Sequence, residues 1–204
     1  MRTYRMSGIP TPDGCIIPLI ATYFGYEPIA KSEVDEDKLD YYTRLEAVVA
    51  DRLEKEGLEL IDAGVCQKCL AEFGEERRGL HAEFTVDSVR FVGHLDRYAI
   101  IDNEWYPVEI KNLGRFMFDK AKKEGIFNVY PSYAVQEALY LRDSGKPGLY
   151  VVNNRDTGEM LKYSIPWEPG YLELKGFERL ELPFSINDIF QTVISADNLV
   201  DQDN

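Results

Sequence analysis

Apolar residues recur along this chain at two different spacings, and the elements change where the spacing does. Over residues 36–56, Leu39, Tyr42, Leu45, Val49 and Leu53 fall on one stripe at helical spacing, and Gly57 is placed to end the helix. Over 80–111 the pattern becomes strand-like in three runs, 81–86, 89–101 and 105–111. A short basic helix is predicted over 116–125. Pro131 then suits the first turn of another helix that runs to 143 and stops at Gly145. Residues 149–153 and 160–165 read as a hairpin around Asp156-Thr157-Gly158, and 185–196 as a last helix before an acidic tail. Residues 1–34, rich in Gly, Pro and Tyr, predict an irregular arm with one short helix, and 58–80 is mixed. With no repeat and no linker, the pattern predicts a single α/β domain. Its parts are an N-terminal arm (1–34), a core (35–165) and a C-terminal extension (166–204).

Composition narrows this picture. A chain of 204 residues that is 45% hydrophobic and 12% aromatic suffices for one packed core. No apolar run approaches the roughly 18 residues of a membrane span, and the N-terminus lacks the apolar centre of a signal peptide. Three cysteines do not suggest a disulfide framework, so a reducing cytoplasm is expected, in a bacterium or a virus-infected host cell. With 36 acidic against 23 basic residues the net charge is −13, opposite in sign to the usual footprint of a nucleic-acid binder. Any nucleic-acid reading therefore requires a local basic surface and a cation to offset carboxylates.

The candidate chemistry is carried by Gly93-His94-Leu95-Asp96 and Val108-Glu109-Ile110-Lys111. Alternation points Glu109 and Lys111 to one face and Val108 and Ile110 to the other. If the two segments pair across the turn near Asp102-Asn103-Glu104, Asp96, Glu109 and Lys111 converge at one sheet edge. Magnesium and manganese prefer such hard oxygen ligands, and the carbonyl of Ile110 can add another. Lys111 is placed to orient a water or to stabilise a crowded phosphate. The plain alternative is a solvated strand face with an ordinary Glu/Lys pair.

Further residues bear on that choice. Glu46 falls on the apolar stripe of the first helix, where an inward carboxylate is costly unless paired or bound to a cation; the alternative is a side chain at the stripe's edge. Gln136 and Tyr140 share a helix face at i and i+4, positioned to grip a phosphate or hold the carboxylates, or else form a core tyrosine beside a surface glutamine. Arg115, Lys120, Lys122 and Lys123 form a local basic patch suited to a DNA backbone, with Arg77 and Arg78 as further contributors. Phe116, Phe118, Phe127 and Tyr130 are interleaved with it, for base stacking or, for most of them, core packing. Cys66 and Cys69 form half of a zinc-like pattern, with Cys15 and His81 as the other soft ligands, but no second close pair completes it. His94 is expected in a structural or substrate-side role rather than as a ligand.

Taken together, Glu46, Gly93-His94-Leu95-Asp96, Val108-Glu109-Ile110-Lys111 and Gln136-x-x-x-Tyr140 resemble the PD-(D/E)XK nuclease superfamily over residues 40–165. The resemblance is to the branch of RecB-type nuclease domains, viral recombination exonucleases such as that of phage lambda, and CRISPR-adaptation nucleases. It implies a restriction-endonuclease-like core, a central mixed sheet flanked by helices, and DNA cleavage dependent on Mg2+ or Mn2+. It implies metal ligation by Asp96 and Glu109, with Lys111 as the catalytic lysine, Glu46 and Gln136 in support and Tyr140 nearby. The implied role is an exonuclease in recombination, repair or phage DNA processing, acting on DNA with a recombination or repair protein as partner. Several members of the branch hold an iron–sulfur cluster on four cysteines, three near the C-terminus; here the last cysteine is Cys69, so no cluster is expected. Two alternatives stand beside this reading. One is a non-catalytic acidic member of the same fold that binds DNA or protein, and the other is a zinc-stabilised interaction module.

Overall fold

The computed structural model describes residues 2–12, 14, 33–62, 64–74, 76–87, 89–168 and 170–201. Of residues 2, 33–36, 38–40, 73 and 196–201 it describes the backbone only, so the side chain of Leu39 in the predicted stripe, and Cys15 altogether, lie outside the described residues. The architecture is α/β, with two mixed sheets flanked by helices. Strands β1 (Arg2–Arg5), β4 (Val89–Leu95) and β3 (Leu80–Val86) form a three-stranded sheet in the order β1-β4-β3. A six-stranded sheet runs β2 (Glu59–Ile61), β5 (Arg97–Ile101), β6 (Glu104–Leu113), β7 (Gly148–Asn154), β8 (Met160–Ile165), β9 (Glu178–Arg179).

The predicted run 89–101 is therefore two strands in two sheets, broken at Asp96. β4 pairs antiparallel with β3, whereas β5 pairs antiparallel with β6, Arg97 opposite Val108. The β5–β6 turn falls where expected, with Asp102 and Asn103 both at positive φ (52° and 63°), the backbone demanded by a two-residue hairpin loop that continues the strand twist. The irregular arm is corrected in part. Tyr4 and Met6 are buried and β1 lies parallel to β4; four residues are too few for alternation to be visible in sequence.

Helix α1 (Glu33–Lys55) packs Val49 and Leu53 against Ala99, Val108, Ile110, Leu149 and Val151, covering one face of the larger sheet. Short helix α2 (Gln67–Phe73) precedes β3. Helices α3 (Arg115–Glu124) and α4 (Ile126–Val129) lead into α5 (Pro131–Ser144), which ends at Gly145 with left-handed φ of 64°. α5 is buried nearly all round. Val135, Ala138 and Leu139 pack with β3, β4 and α6 (Ile186–Asp201), while Ala134 and Leu141 pack with α3, α4 and β7. The C-terminal extension is thus part of the core, through Ile189, Phe190 and Val193. No helix among the described residues is long and apolar enough to cross a membrane.

Two glycines allow this central helix to sit so close. A Cβ on Gly93 of β4 would stand 2.6 Å from the Tyr140 ring, and one on Gly148 of β7 would stand 2.5 Å from both Glu137 and Leu141. Both distances lie far inside van der Waals contact. Only hydrogen at these Cα atoms lets α5 rest on both sheets.

Candidate metal-dependent active site

The site forms where β4 hands over to β5. Because β5 begins at Arg97, opposite Val108, β6 runs beyond its neighbour at Glu109, Ile110 and Lys111. Asp96 fills that gap, and its Oδ2 accepts a 2.7 Å hydrogen bond from the Ile110 amide. In extended backbone a residue's N–H and C=O leave by the same edge, so the Ile110 carbonyl emerges toward Asp96 as well. Its side chain is core, as alternation requires.

Glu109 and Lys111 share the face that α5 covers. Lys111 Nζ bonds Glu109 Oε1 and donates to Gln136 Oε1 at 3.0 Å. Gln136 Nε2 donates to Tyr140 Oη at 3.0 Å, and that hydroxyl donates to the His94 carbonyl at 2.8 Å. The chain of bonds ties α5, β6 and β4 together in one network. Glu109 is 3% exposed, yet its second oxygen, Oε2, has no hydrogen-bond partner. A buried carboxylate oxygen left this way is costly unless something else approaches it.

Electrostatics place a fourth residue at the same point. Glu46, half-buried on α1, is pushed up to about 7 by burial and by Asp96, while Lys111 and Arg97 act in the opposite sense. Glu109 is pushed up to about 8 by burial, then by Asp96, against the pull of Lys111; Glu46 adds to the rise. Burial also raises Asp96. Three carboxylates face one ammonium and one guanidinium in a partly buried space. Such a set holds extra protons or binds a cation. Lys111 is itself pushed upward by Glu109 and Asp96, which outweigh the opposing effect of burial, so it stays an ammonium.

The sequence-predicted residues Glu46, Asp96, Glu109, Ile110, Lys111, Gln136 and Tyr140 are all brought together. Of the basic patch, Arg115, Lys120, Lys122 and Lys123 lie exposed on α3, but much of their charge is matched locally. Arg115 stands 3.9 Å from Asp119, Lys120 4.0 Å from Glu124 and Lys122 2.5 Å from Glu159. Phe118 and Phe127 are core, whereas Phe116 is 79% exposed.

Four residues near the site gave no signal of their own in the sequence. The Tyr133 ring lies 5.0 Å from Lys111 Nζ and stacks on Tyr130 at 4.7 Å. Arg155 bonds the Tyr42 hydroxyl and lies against Gly114, at the start of α3, linking the basic helix to the turn of α1 that precedes Glu46. Arg97 donates to the Asp96 carbonyl at 2.6 Å. Glu137 is 1% exposed with both oxygens unpartnered, and burial together with Glu109 raises it well above the ordinary carboxylate range. Tyr133 and Glu137 adjoin Gln136 in the predicted helix; the helical faces toward β6 and β7 would have flagged them.

No family model matches the chain, and no curated protein does. A solved structure titled "Crystal structure of SSO0001" is similar over 98% of this chain and 76% of its own, with 14% sequence identity and a TM-score of 0.45.

Proposed function

We propose that this chain is a divalent-metal-dependent deoxyribonuclease of the PD-(D/E)XK type, an exonuclease with a restriction-endonuclease-like core acting in recombination, repair or phage DNA processing. The observation that carries the reading is Glu109 Oε2, buried and without a partner beside Asp96 and Glu46. The donor set consists of carboxylates and one backbone carbonyl, the hard oxygen chemistry of Mg2+ or Mn2+. Asp96, Glu109 and the Ile110 carbonyl would hold the ion, with Glu46 completing the set. When bound, it polarises a phosphodiester and lowers the pKa of a water.

The chain's own residues do the rest. Lys111, fixed between Glu109 and Gln136 and kept protonated, presents its ammonium where charge builds on the phosphate oxygens. Gln136 and Tyr140 lock its approach by spending their hydrogen bonds on one another and on β4. Arg155 and the cations of α3 meet the DNA backbone at the rim, where the exposed Phe116 offers a ring face to unpaired bases. A recombination or repair protein is the proposed partner.

The test is cleavage of linear DNA by the purified chain in magnesium or manganese. Wild type is expected to degrade it, and Glu109→Gln or Lys111→Ala to lose at least about 100-fold in rate. Equal cleavage by both variants would discard the assignment. The net charge of −13 favours a second reading, a non-catalytic acidic member of the fold; DNA or protein binding with no cleavage by wild type would select it.

A further inference from the structure

The Cys66-x-x-Cys69 pair belongs to a constellation on the other side of β4. α2 begins at Cys66, whose Sγ accepts from the Cys69 amide at 3.4 Å, so both thiols turn to one side of the helix start. The β3–β4 hairpin sets His81 directly opposite His94. Cys69 Sγ lies 3.6 Å from His81 Nδ1 and 3.1 Å from His94 Nε2, and Cys66 Sγ lies 3.7 Å from His81 Nδ1. One ligand atom from each of the four residues falls within 4.8 Å of all the others. Around a tetrahedral zinc, with bonds of about 2.3 Å to sulfur and 2.0 Å to nitrogen, neighbouring S and N atoms stand roughly 3.6 Å apart. The separations in this structure bracket that value.

We propose that Cys66, Cys69, His81 and His94 form a structural Zn2+ site that staples α2 to the β3–β4 hairpin. The surroundings are those of a metal site rather than of a chance cluster. The nitrogen of His81 turned away from the thiols, Nε2, lies 2.8 Å from Glu83 Oε2, the carboxylate partner that fixes the tautomer and orientation of a ligating imidazole. Glu83 is itself held by Arg90 at 2.7 Å and Lys68 at 2.6 Å, and Arg90 also grips Glu72 of α2 at 2.5 and 2.9 Å. Binding displaces one proton from each thiol, and two thiolates with two neutral imidazoles neutralise the ion. The set has no open position, as befits a structural site.

None of these four ligands is shared with the carboxylates, although the His94 carbonyl accepts from Tyr140. The full chain, produced with zinc and purified without chelator, is expected to carry about one zinc per chain by elemental analysis. Asp96→Ala and Glu109→Gln should keep that content, while Cys69→Ser and His94→Ala should lose most of it. Replacement of zinc by Co2+ in the wild-type chain decides the matter even if those variants fail to fold. The expected spectrum has thiolate-to-cobalt charge transfer and the strong visible bands of tetrahedral cobalt. A folded wild-type chain that neither carries zinc nor takes up zinc or cobalt would overturn the proposal. So would stoichiometric iron with sulfide, or full zinc retention by a Cys69→Ser/His94→Ala double variant.

Discussion

Among single residues, Glu109 matters most, because its two oxygens are treated unequally: one is held by Lys111 and the other is buried without a partner. That arrangement has a pH signature. Without magnesium or manganese, Glu109 titrates at about 8 and Glu46 at about 7, against an ordinary value of 4.5. Asp96, Lys111, Arg97, Glu137 and Tyr140 supply the surrounding charges and dipoles. Both carboxyls keep in the folded state a proton that the unfolded chain has already released above pH 4.5. Their stabilising contribution is therefore complete below that pH and is lost as pH rises through 7 and 8. Thermal melts without either ion should show stability falling over this window, and Glu109→Gln should flatten the fall. A profile that rises over the same window in wild type would contradict the assignment. Much of this site was legible in the sequence, since strand alternation couples Glu109 to Lys111 and i, i+4 spacing couples Gln136 to Tyr140. Arg155 was not, because its place beside Tyr42 depends on how the β7–β8 turn meets α1.

Among the strands and helices, the decisive feature is the break at Asp96, where one predicted run becomes strands of two sheets. Alternating hydrophobicity sees no break there, since Leu95 and Ala99 are both buried. Pairing partners, set by β3 on one side and β6 on the other, make the division. The hairpin register was within reach: strands ending at Val86 and starting at Val89 place His81 opposite His94, the ligand missing from the cysteine pattern. Close contact between α5 and β4 gives a direct test. Gly93→Ala forces a methyl to within 2.6 Å of the Tyr140 ring and should destabilise the protein by about 1–3 kcal/mol in denaturant titrations. Pairing it with Tyr140→Phe should not relieve the clash, because the ring remains; unchanged stability in Gly93→Ala would show that α5 sits further from the sheet. If zinc joins α2 to the hairpin, its removal should speed amide hydrogen exchange first in β3 and β4, while β6 and β7 remain protected. Uniform acceleration throughout the chain would place the metal elsewhere.

For the molecule as a whole, a net charge of −13 must be reconciled with a polyanionic substrate. Net charge is a sum over the surface, and DNA meets one part of it. α3 offers Arg115, Lys120, Lys122 and Lys123 against Asp119 and Glu124, with Arg155 at its start. Because carboxylates discount these cations, binding is expected to be weak, with a salt dependence set by the few phosphates they neutralise. In the Glu109→Gln background, changing Lys120 and Lys123 to Glu should weaken binding to linear DNA about 10-fold and reduce the slope against salt by about 2, measured by fluorescence anisotropy. An unchanged slope would move the DNA path off α3. The central strands and the longer helices follow from patterns a sequence carries, whereas the sheet order and the embedding of α6 and β1 in the core depend on long-range pairing and packing that no local period encodes. Nuclease chemistry here requires that Glu46, Asp96 and Glu109 hold a divalent cation beside Lys111. Anomalous diffraction from a crystal soaked in manganese is the sharpest check. A manganese peak is expected between Glu109 Oε2, the Asp96 carboxylate and the Ile110 carbonyl, and a map with no peak there at saturating manganese would contradict the assignment.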